Sequence, residues 1–331
     1  MTIRGIAELA GVAKSTVSKA LNGHPDVGPE TRARILELVR SLGYVQDASA
    51  RAVATGRTGT IGIIIPMKPG PVIQGRYWSA VVGAAATSAA HYGQDLLMLV
   101  PREEGEVVSA YPAMLNSRKV DGVIIGSEVL HEHDVDPLTE ADIPFVLLGT
   151  NPWVPHYSIG TDNRGGARAM TRHLAELGYE RIGILAGSGD FPYVADRIEG
   201  WREALRERGL REGPVVTEQG TEEDIRGAAD TIVDADADAI FVAAGNEAMI
   251  SVLRRLRERG VADELGLGVF DDDPVFDLIE PKVSAVVQPL EEIGVRAVDV
   301  LLRIMDGVGP VTKEVVLPTT LNARALPKAR T

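Results

Sequence analysis

A polar, partly cationic helix face near the amino terminus is the part of this sequence best suited to contact another molecule. The face comprises Lys14, Ser15, Thr16, Ser18, Lys19 and Asn22. Val17 and Leu21, four residues apart, form the apolar side of the same short helix. Because hydroxyl, amide and ammonium groups hydrogen-bond to base edges and phosphates, the pattern predicts a helix that enters a DNA groove.

Neighbouring helices must hold that face in place. Ile6, Leu9 and Ala10 have the i, i+3, i+4 spacing of an apolar helix face. Thr2 is a suitable N-cap for this helix, and Gly11 suits the left-handed turn that ends it. A third helix is predicted over 29–43, with an apolar face of Ile35, Leu36, Leu38, Val39 and Leu42. Three helices around one small core predict a helix-turn-helix domain, and the alternative from spacing alone is an ordinary amphipathic pair.

The formal charge of the predicted head differs in sign from that of the rest of the chain. Residues 1–57 contain eight lysines and arginines against five acidic residues, a formal charge of +3. The whole chain carries −13, which leaves −16 for the remainder. A basic head on an acidic body is typical of a protein that contacts DNA through one end.

Length and composition narrow the class of protein. A chain of 331 residues predicts two or three domains. No apolar run is long enough to cross a membrane, and the first residues lack the apolar region of a secretion signal. The absence of cysteine excludes disulfides and thiol catalysis. We therefore expect a cytoplasmic protein without a membrane partner.

After residue 59, strand-like apolar runs alternate with helical stretches. Strands are predicted at 61–65, 96–100, 122–125, 145–148, 157–160, 182–185, 239–242, 267–270 and 285–287, and helices at 80–92, 165–177, 196–208 and 247–259. Such alternation implies parallel sheets with crossover helices, and there are too many strands for one small sheet. The predicted fold is therefore an all-α head plus an α/β body of two doubly wound parallel-sheet lobes with a cleft between them.

Polar side chains follow several of these strands, where ligands bind in such sheets. Asp162, Asp271 and Gln288 each follow or end a strand, and Arg197 lies shortly after another. Carboxylates, amides and a guanidinium suit the paired hydroxyls of a sugar. The alternatives are that Asp162 and Asp271 cap the turns that follow them, and that Arg197 pairs with an acidic neighbour on its own surface.

Three other patterns suggest different chemistry and are set aside. Residues 187–189 resemble the start of a dinucleotide loop, but the third glycine is missing. The histidine and acidic residues of 131–134 lie in a polar stretch that predicts a surface loop. The three aspartates of 271–273 lack an accompanying phosphate loop with lysine. We therefore predict no catalytic residue, no metal, no cofactor and no enzyme activity.

Segments at fixed spacing in the first 60 residues resemble the lactose-repressor (LacI/GalR) family of bacterial regulators. The matching segments are Ile6 to Val12, Ser15 to Asn22, Val27, Thr31-Arg32, Leu42 to Tyr44 and Ser49 to Val53. The likeness continues, more weakly, to about residue 325. It implies a helix-turn-helix head at 1–46, a hinge helix and linker at 47–59, and an effector-binding and dimerisation body at 60–331. The body would form two lobes of the periplasmic-binding-protein type, an N-lobe of about 60–160 and 290–316 and a C-lobe of about 161–288 and 317–331.

By this resemblance, two chains form a homodimer that reads a pseudo-palindromic operator. The predicted DNA-binding residues are Thr2, Lys14, Ser15, Thr16, Ser18, Lys19, Asn22, Thr31, Arg32, Tyr44, Ala50 and Val53. Lys14, Ser15 and Lys19 are predicted to reach base edges or the groove. The residues predicted to contact phosphates are Thr16, Ser18, Asn22, Thr31 and Arg32. Residues 47–56 are predicted to form a hinge helix that orders against the dimer mate and the minor groove, with Val53 in place of the family's wedge leucine.

The resemblance also implies a small-molecule effector between the lobes, and we expect a repressor relieved by a sugar or sugar derivative. The predicted effector-binding residues are Trp78, Trp153, Asp162, Tyr193, Arg197, Asn246, Phe270, Asp271 and Gln288. Ala244-Gly245 stands where the family often has an Asn-Asp pair, so either a contact is missing or Asn246 supplies it. The alternatives are a co-repressed regulator with a purine-like or protein effector, and a pure ligand-binding protein.

Overall fold

The computed structural model describes residues 2–44, 52, 55–65, 76–99, 119–126, 135–151, 156–187, 191–218, 221–309 and 312–327. Ala50, Val53 and Trp153, which the sequence predicts to be functional, lie outside these ranges, as do most of the hinge segment and residues 131–134.

The head consists of three helices, α1 (Ile3–Ala10), α2 (Lys14–Leu21) and α3 (Pro29–Ser41). The hydroxyl of Thr2 accepts the N–H of Gly5 at 3.4 Å and so caps α1, as predicted. Gly11 ends α1 at a φ of 64°, in the left-handed region that favours glycine. The turn between α1 and α2 is therefore set by local sequence.

The buried face of α1 differs from the prediction. Ile6, Ala7 and Ala10 are buried, whereas the side chain of Leu9 is 60% exposed. The buried arc runs from Ile6 through Ala10 to Ala7 because α2 and α3 pack on that side of the helix. Leu9 lies on the other side of Ile6, which the i, i+3 spacing alone could not reveal.

The first lobe is built on a six-stranded, all-parallel sheet. Its strands are β1 (Thr60–Ile64), β2 (Asp95–Leu99), β3 (Gly122–Gly126), β4 (Phe145–Leu148), β5 (Ser158–Thr161) and β11 (Glu314–Leu317), in the order β2-β1-β3-β4-β5-β11. Helices α4 (Arg76–His91) and α10 (Leu290–Met305) cover one face, and α5 (Asp136–Glu140) lies on the other. Successive residues of β1 face opposite ways, so Ile63 packs beneath α4 and Ile64 packs on the side of α5.

The second lobe repeats this plan with one antiparallel strand. Its strands are β6 (Ile182–Ala186), β7 (Val215–Thr217), β8 (Ala239–Val242), β9 (Gly266–Phe270), β10 (Ser284–Val287) and β12 (Thr320–Asn322), in the order β7-β6-β8-β9-β10-β12. Only β12 runs antiparallel to its neighbour. Helices α6 (Asn163–Glu176) and α7 (Pro192–Arg208) cover one face, and α8 (Glu222–Asp234) and α9 (Asn246–Arg259) cover the other. Short 3-10 helices lie at Ala262–Glu264 and Pro274–Asp277.

The chain passes between the two sheets three times, after Thr161, after Val287 and after Leu317. The two-lobe α/β fold with a helix-turn-helix head is thus as predicted. Strands β7, β11 and β12 were not predicted, because each is a strand of only three or four residues at a sheet edge and is partly exposed. No helix within the described ranges combines the length and apolar character needed to span a bilayer.

Candidate functional site

A cleft lies between the two lobes, at the carboxyl ends of their parallel strands. Its cavity volume is about 210 Å³, below the range of about 300–1,000 Å³ that is usual for drug-sized ligands. Its walls are formed by Tyr77, Trp78, Gly149, Thr150, Gly160, Thr161, Asn163, Pro192, Tyr193, Arg197, Ala244, Gly245, Asn246, Glu247, Asp271 and Gln288. Both lobes contribute, so a ligand bound here would touch both.

Arg197 is the cation of the cleft and is held on several sides. Its Nε donates to the side-chain oxygen of Asn163 at 2.9 Å, and its Nη1 donates to the carbonyl of Ala243 at 2.7 Å. The guanidinium lies over the Phe270 ring at 3.6 Å and over the Tyr193 ring at 4.7 Å. Only 6% of the residue is exposed. These contacts fix the planar fork in one orientation, as recognition of hydroxyl or carboxylate oxygens requires.

Asp271 and Gln288 form a hydrogen-bonded pair on the cleft wall. Gln288 Nε2 donates to Asp271 Oδ1 at 2.5 Å. Burial raises the pKa of Asp271, while Arg197 and the hydrogen bond from Gln288 act in the opposite direction. Asp271 also has a φ of 82°, a strained conformation for a residue with a Cβ. A strained and partly desolvated carboxylate beside a ligand cleft is typical of a binding residue.

The amino end of α9 supplies two further polar side chains to the cleft. Asn246 is buried and donates through Nδ2 to Asp273 at 3.0 Å. Glu247 lies on the rim, where the surrounding protein raises its pKa and the charges of Asp271 and Asp273 add to the effect. Gly245, at a φ of 108°, brings the chain into α9. Ala244-Gly245, which stands where the family often has an Asn-Asp pair, contributes no polar side chain. Asn246 lies at the cleft, but its amide is bonded to Asp273 of the same lobe.

Aromatic rings border the cleft from both lobes. Trp78 and its neighbour Tyr77 sit near the start of α4, with their rings edge to face at 5.2 Å between centroids. Tyr193 stacks on Phe191 at 5.6 Å on the opposite lobe. Phe270 is fully buried and reaches the cleft only through the Arg197 guanidinium above it. Ring faces of this kind cover the C–H surface of a sugar.

Asp162 occupies a different position from the other predicted effector residues. Its Oδ1 accepts the N–H of Gly165 at 2.7 Å, which caps α6. It is absent from the cleft walls described above, and the neighbouring Asn163 lines the cleft instead. Capping was the alternative that the sequence left open for Asp162, and it is what this geometry shows.

The other two aspartates of 271–273 also have structural partners. Asp272 pairs with Arg324 at 3.0 Å and accepts from Asn322 at 2.9 Å, which ties β12 to the lobe. Asp273 accepts the N–H of Val275 at 2.9 Å. The three carboxylates therefore have separate partners.

Five cleft residues with polar side chains were missed from the sequence: Tyr77, Thr150, Thr161, Asn163 and Glu247. Asn163 directly follows the predicted Asp162, so that prediction was off by one position, whereas Glu247 lines the cleft beside the predicted Asn246. Thr150 follows β4, and a search of every strand end would have found it. Tyr77 lies on a helix, where only the fold places it at the cleft.

On the head, the predicted DNA-binding side chains differ in exposure. Lys14, Ser15 and Lys19 are exposed along α2. The remaining described members are the exposed Thr2 and the partly buried Thr16, Ser18, Asn22, Thr31, Arg32 and Tyr44. Tyr44 packs against the head core, and the Arg32 guanidinium donates to the carbonyl of His24.

Two family models match the chain. The model described as bacterial regulatory proteins, lacI family, matches residues 2–47, and the periplasmic binding protein-like domain matches residues 171–325. The HTH-type transcriptional regulator CelR of Thermobifida fusca is 31% identical over 336 residues, covering 98% of this chain and 97% of that protein. RafR of Escherichia coli, also an HTH-type transcriptional regulator, is 29% identical over 317 residues and is covered to 94%, as is this chain.

Solved structures show the same arrangement. A transcriptional regulator CelR-cellobiose complex matches with a TM-score of 0.73 at 29% identity, covering 98% of this chain and 99% of that one. The Lac repressor dimer bound to operator and the anti-inducer ONPF matches with a TM-score of 0.81 at 22% identity, covering 98% of both chains. At 22% identity, the similarity to the Lac repressor shows a shared fold only.

Proposed function

Because this chain belongs to the lacI family of bacterial regulatory proteins, we propose that it represses transcription and that a sugar bound in the cleft controls its affinity for DNA. The protein is a DNA-binding transcriptional regulator. Its reading surface is the exposed side of α2, with Lys14, Ser15 and Lys19 directed to base edges. The partly buried hydroxyl and amide groups beside them are suited to phosphates.

The cleft chemistry favours a sugar as the effector. The fixed guanidinium of Arg197 and the Asp271–Gln288 pair provide donors and acceptors for adjacent hydroxyls. Trp78 and Tyr193 provide ring faces from opposite lobes. The relative CelR has been solved with cellobiose, which makes β-linked glucose disaccharides the first compounds to test.

The position of these residues provides a way for sugar binding in the cleft to change DNA binding by the head. Asn163 and Gln288 lie at two of the three points where the chain passes between lobes. A ligand that bonds them changes the relative stability of open and closed lobe arrangements. Coupling of this kind typically amounts to about 1–3 kcal/mol, which changes operator affinity several-fold to about a hundredfold.

The wider organisation follows from the same proposal. Residues 1–46 form the reading head, 47–59 the hinge, and 60–331 the effector-binding body. Two chains form a homodimer, since a two-fold axis matches a pseudo-palindromic operator. The protein acts in the cytoplasm, where bacterial DNA lies. The observation that most directly supports a sugar effector is the buried Arg197, which faces the cleft and is held by Asn163, Ala243 and Phe270.

The test is a thermal-shift screen of monosaccharides and disaccharides, followed by DNA binding. The operator is first selected by the protein itself from a pool of random duplexes. We expect one sugar class to raise the unfolding midpoint and to weaken operator binding. Arg197→Lys is the variant for comparison, because it keeps the charge but removes the planar fork.

Two results would contradict the proposal. Failure to select any duplex would remove the regulator function itself. Stabilisation by nucleobases but not by sugars, with operator binding strengthened, would replace sugar induction by co-repression.

A further inference from the structure

A short ion pair crosses the loop that follows the reading helix. Lys19 Nζ on α2 lies 2.9 Å from Asp26 Oδ2, in the loop before α3. Both side chains are about half exposed, at 48% and 57%. Hydrogen bonding to Lys19, together with His24 and the Lys19 charge, lowers the pKa of Asp26, so the carboxylate is ionised at neutral pH.

The loop holds Asp26 in this place. The N–H of Asp26 donates to His24 Nδ1 at 3.4 Å, and His24 Nδ1 also lies 3.3 Å from Asp26 Oδ2. The Arg32 guanidinium on α3 donates to the carbonyl of His24, which ties the loop to the third helix. These contacts hold the loop that carries Asp26 next to α2 and Lys19.

We propose that Asp26 is a specificity-determining residue that holds Lys19 away from the phosphates of non-operator DNA. This rests on the proposed function of the head as the DNA reader. An exposed ion pair is weak, so an operator base that offers a well-placed acceptor can capture Lys19. A mixed-sequence duplex presents no base acceptor matched to this position, so Lys19 would contact mainly phosphates there, and the carboxylate competes for the same ammonium. Asp26 thus suppresses non-specific binding more than operator binding.

Asp26→Asn tests this, because it removes the charge and keeps the side-chain size. Binding to a labelled mixed-sequence duplex and to the selected operator is measured by fluorescence anisotropy across a salt series. One additional phosphate contact steepens the slope of log affinity against log salt by about 0.9. The variant should accordingly gain about threefold more affinity for the mixed-sequence duplex than the unsubstituted protein when salt falls from about 200 to about 50 mM. Operator affinity should change less, so the ratio of the two affinities falls.

Two matched variants separate the ion pair from net charge. Glu37→Gln removes one negative charge from an exposed position on α3 and should leave the slope and the ratio close to those of the unsubstituted protein. In a Lys19→Ala background, Asp26→Asn should have little further effect, because the competing ammonium is gone.

Each result decides the proposal. An unchanged slope in Asp26→Asn overturns it, as does an equal effect of Glu37→Gln or an undiminished effect without Lys19. If the unsubstituted protein binds no duplex, both this inference and the proposed function fail. If it binds normally and only the variant pattern is absent, the proposed function stands and the role of Asp26 does not.

Discussion

Gly200 allows α6 and α7 to pack closely, and these two helices carry the cleft residues Asn163 and Arg197. It lies one turn after Arg197 on α7, where α7 crosses close to α6. A Cβ at this position would lie 2.1 Å from the carbonyl oxygen of Arg164, a backbone atom that cannot rotate away. To reach 3.0 Å, the shortest distance that real Cβ atoms show, the helices must separate by about 0.9 Å.

We predict that Gly200→Ala lowers the free energy of unfolding by about 1–3 kcal/mol, the usual cost of overpacking. The same displacement acts on Asn163, which precedes Arg164 on α6. It would lengthen the 2.9 Å bond between Asn163 and Arg197 Nε beyond hydrogen-bond range, which ends at about 3.5 Å. The sugar-dependent rise in the unfolding midpoint should therefore shrink as well.

Gly227→Ala on α8 is the matched control. No atom lies within 4 Å of a Cβ built there, so alanine replaces glycine in an open helical position. Such a change stabilises by about 0.4–1 kcal/mol, because it restricts the unfolded chain. Urea unfolding followed by circular dichroism should give shifts of opposite sign for the two variants. If Gly200→Ala is as stable as the unsubstituted protein, the close packing of α6 and α7 does not position Arg197.

Three further outcomes follow from the structure. Asp271→Asn should raise the unfolding midpoint of the free protein at neutral pH, because burial disfavours the charged carboxylate. The same variant should lower the affinity for the sugar, measured by calorimetry, by about 10- to 100-fold, because a charge-assisted hydrogen bond is lost. Asp162→Ala should cost about 0.5–2 kcal/mol in urea unfolding through loss of the α6 cap, and unchanged stability would contradict the cap. Burial, with Lys313 adding to it, lowers the pKa of His156 to about 4, so the unfolded chain takes up the proton first and stability is lost as pH falls from about 6.5 towards 4. His156→Gln should flatten this loss between about pH 7.5 and about pH 5.5, one unit on either side of the ordinary histidine pKa, and an equal slope in both proteins would refute the assignment.

Local sequence determined the head and most of the body strands. The cap at Thr2 and the turn at Gly11 depend on neighbours within a few residues, and both are found where the sequence predicts them. Strands such as β4 and β8 are continuous apolar runs because both faces of a parallel sheet are covered, and their bounds match the prediction. Short edge strands such as β12 carry no such run, so only pairing with a neighbour reveals them.

The cleft depended on the tertiary structure. The sequence placed polar residues at strand ends, but it could not tell Asp162, whose carboxylate turns back to cap α6, from Asn163, which faces the cleft and holds Arg197. In the same way, the sequence marked Lys19 as a DNA contact, while the fold of the following loop brought Asp26 to its ammonium group. Residue type and spacing determine which side chains can reach a strand end or a helix face. The direction of each side chain is decided by partners that are distant in sequence, because hydrogen bonds and packing form only when the elements meet.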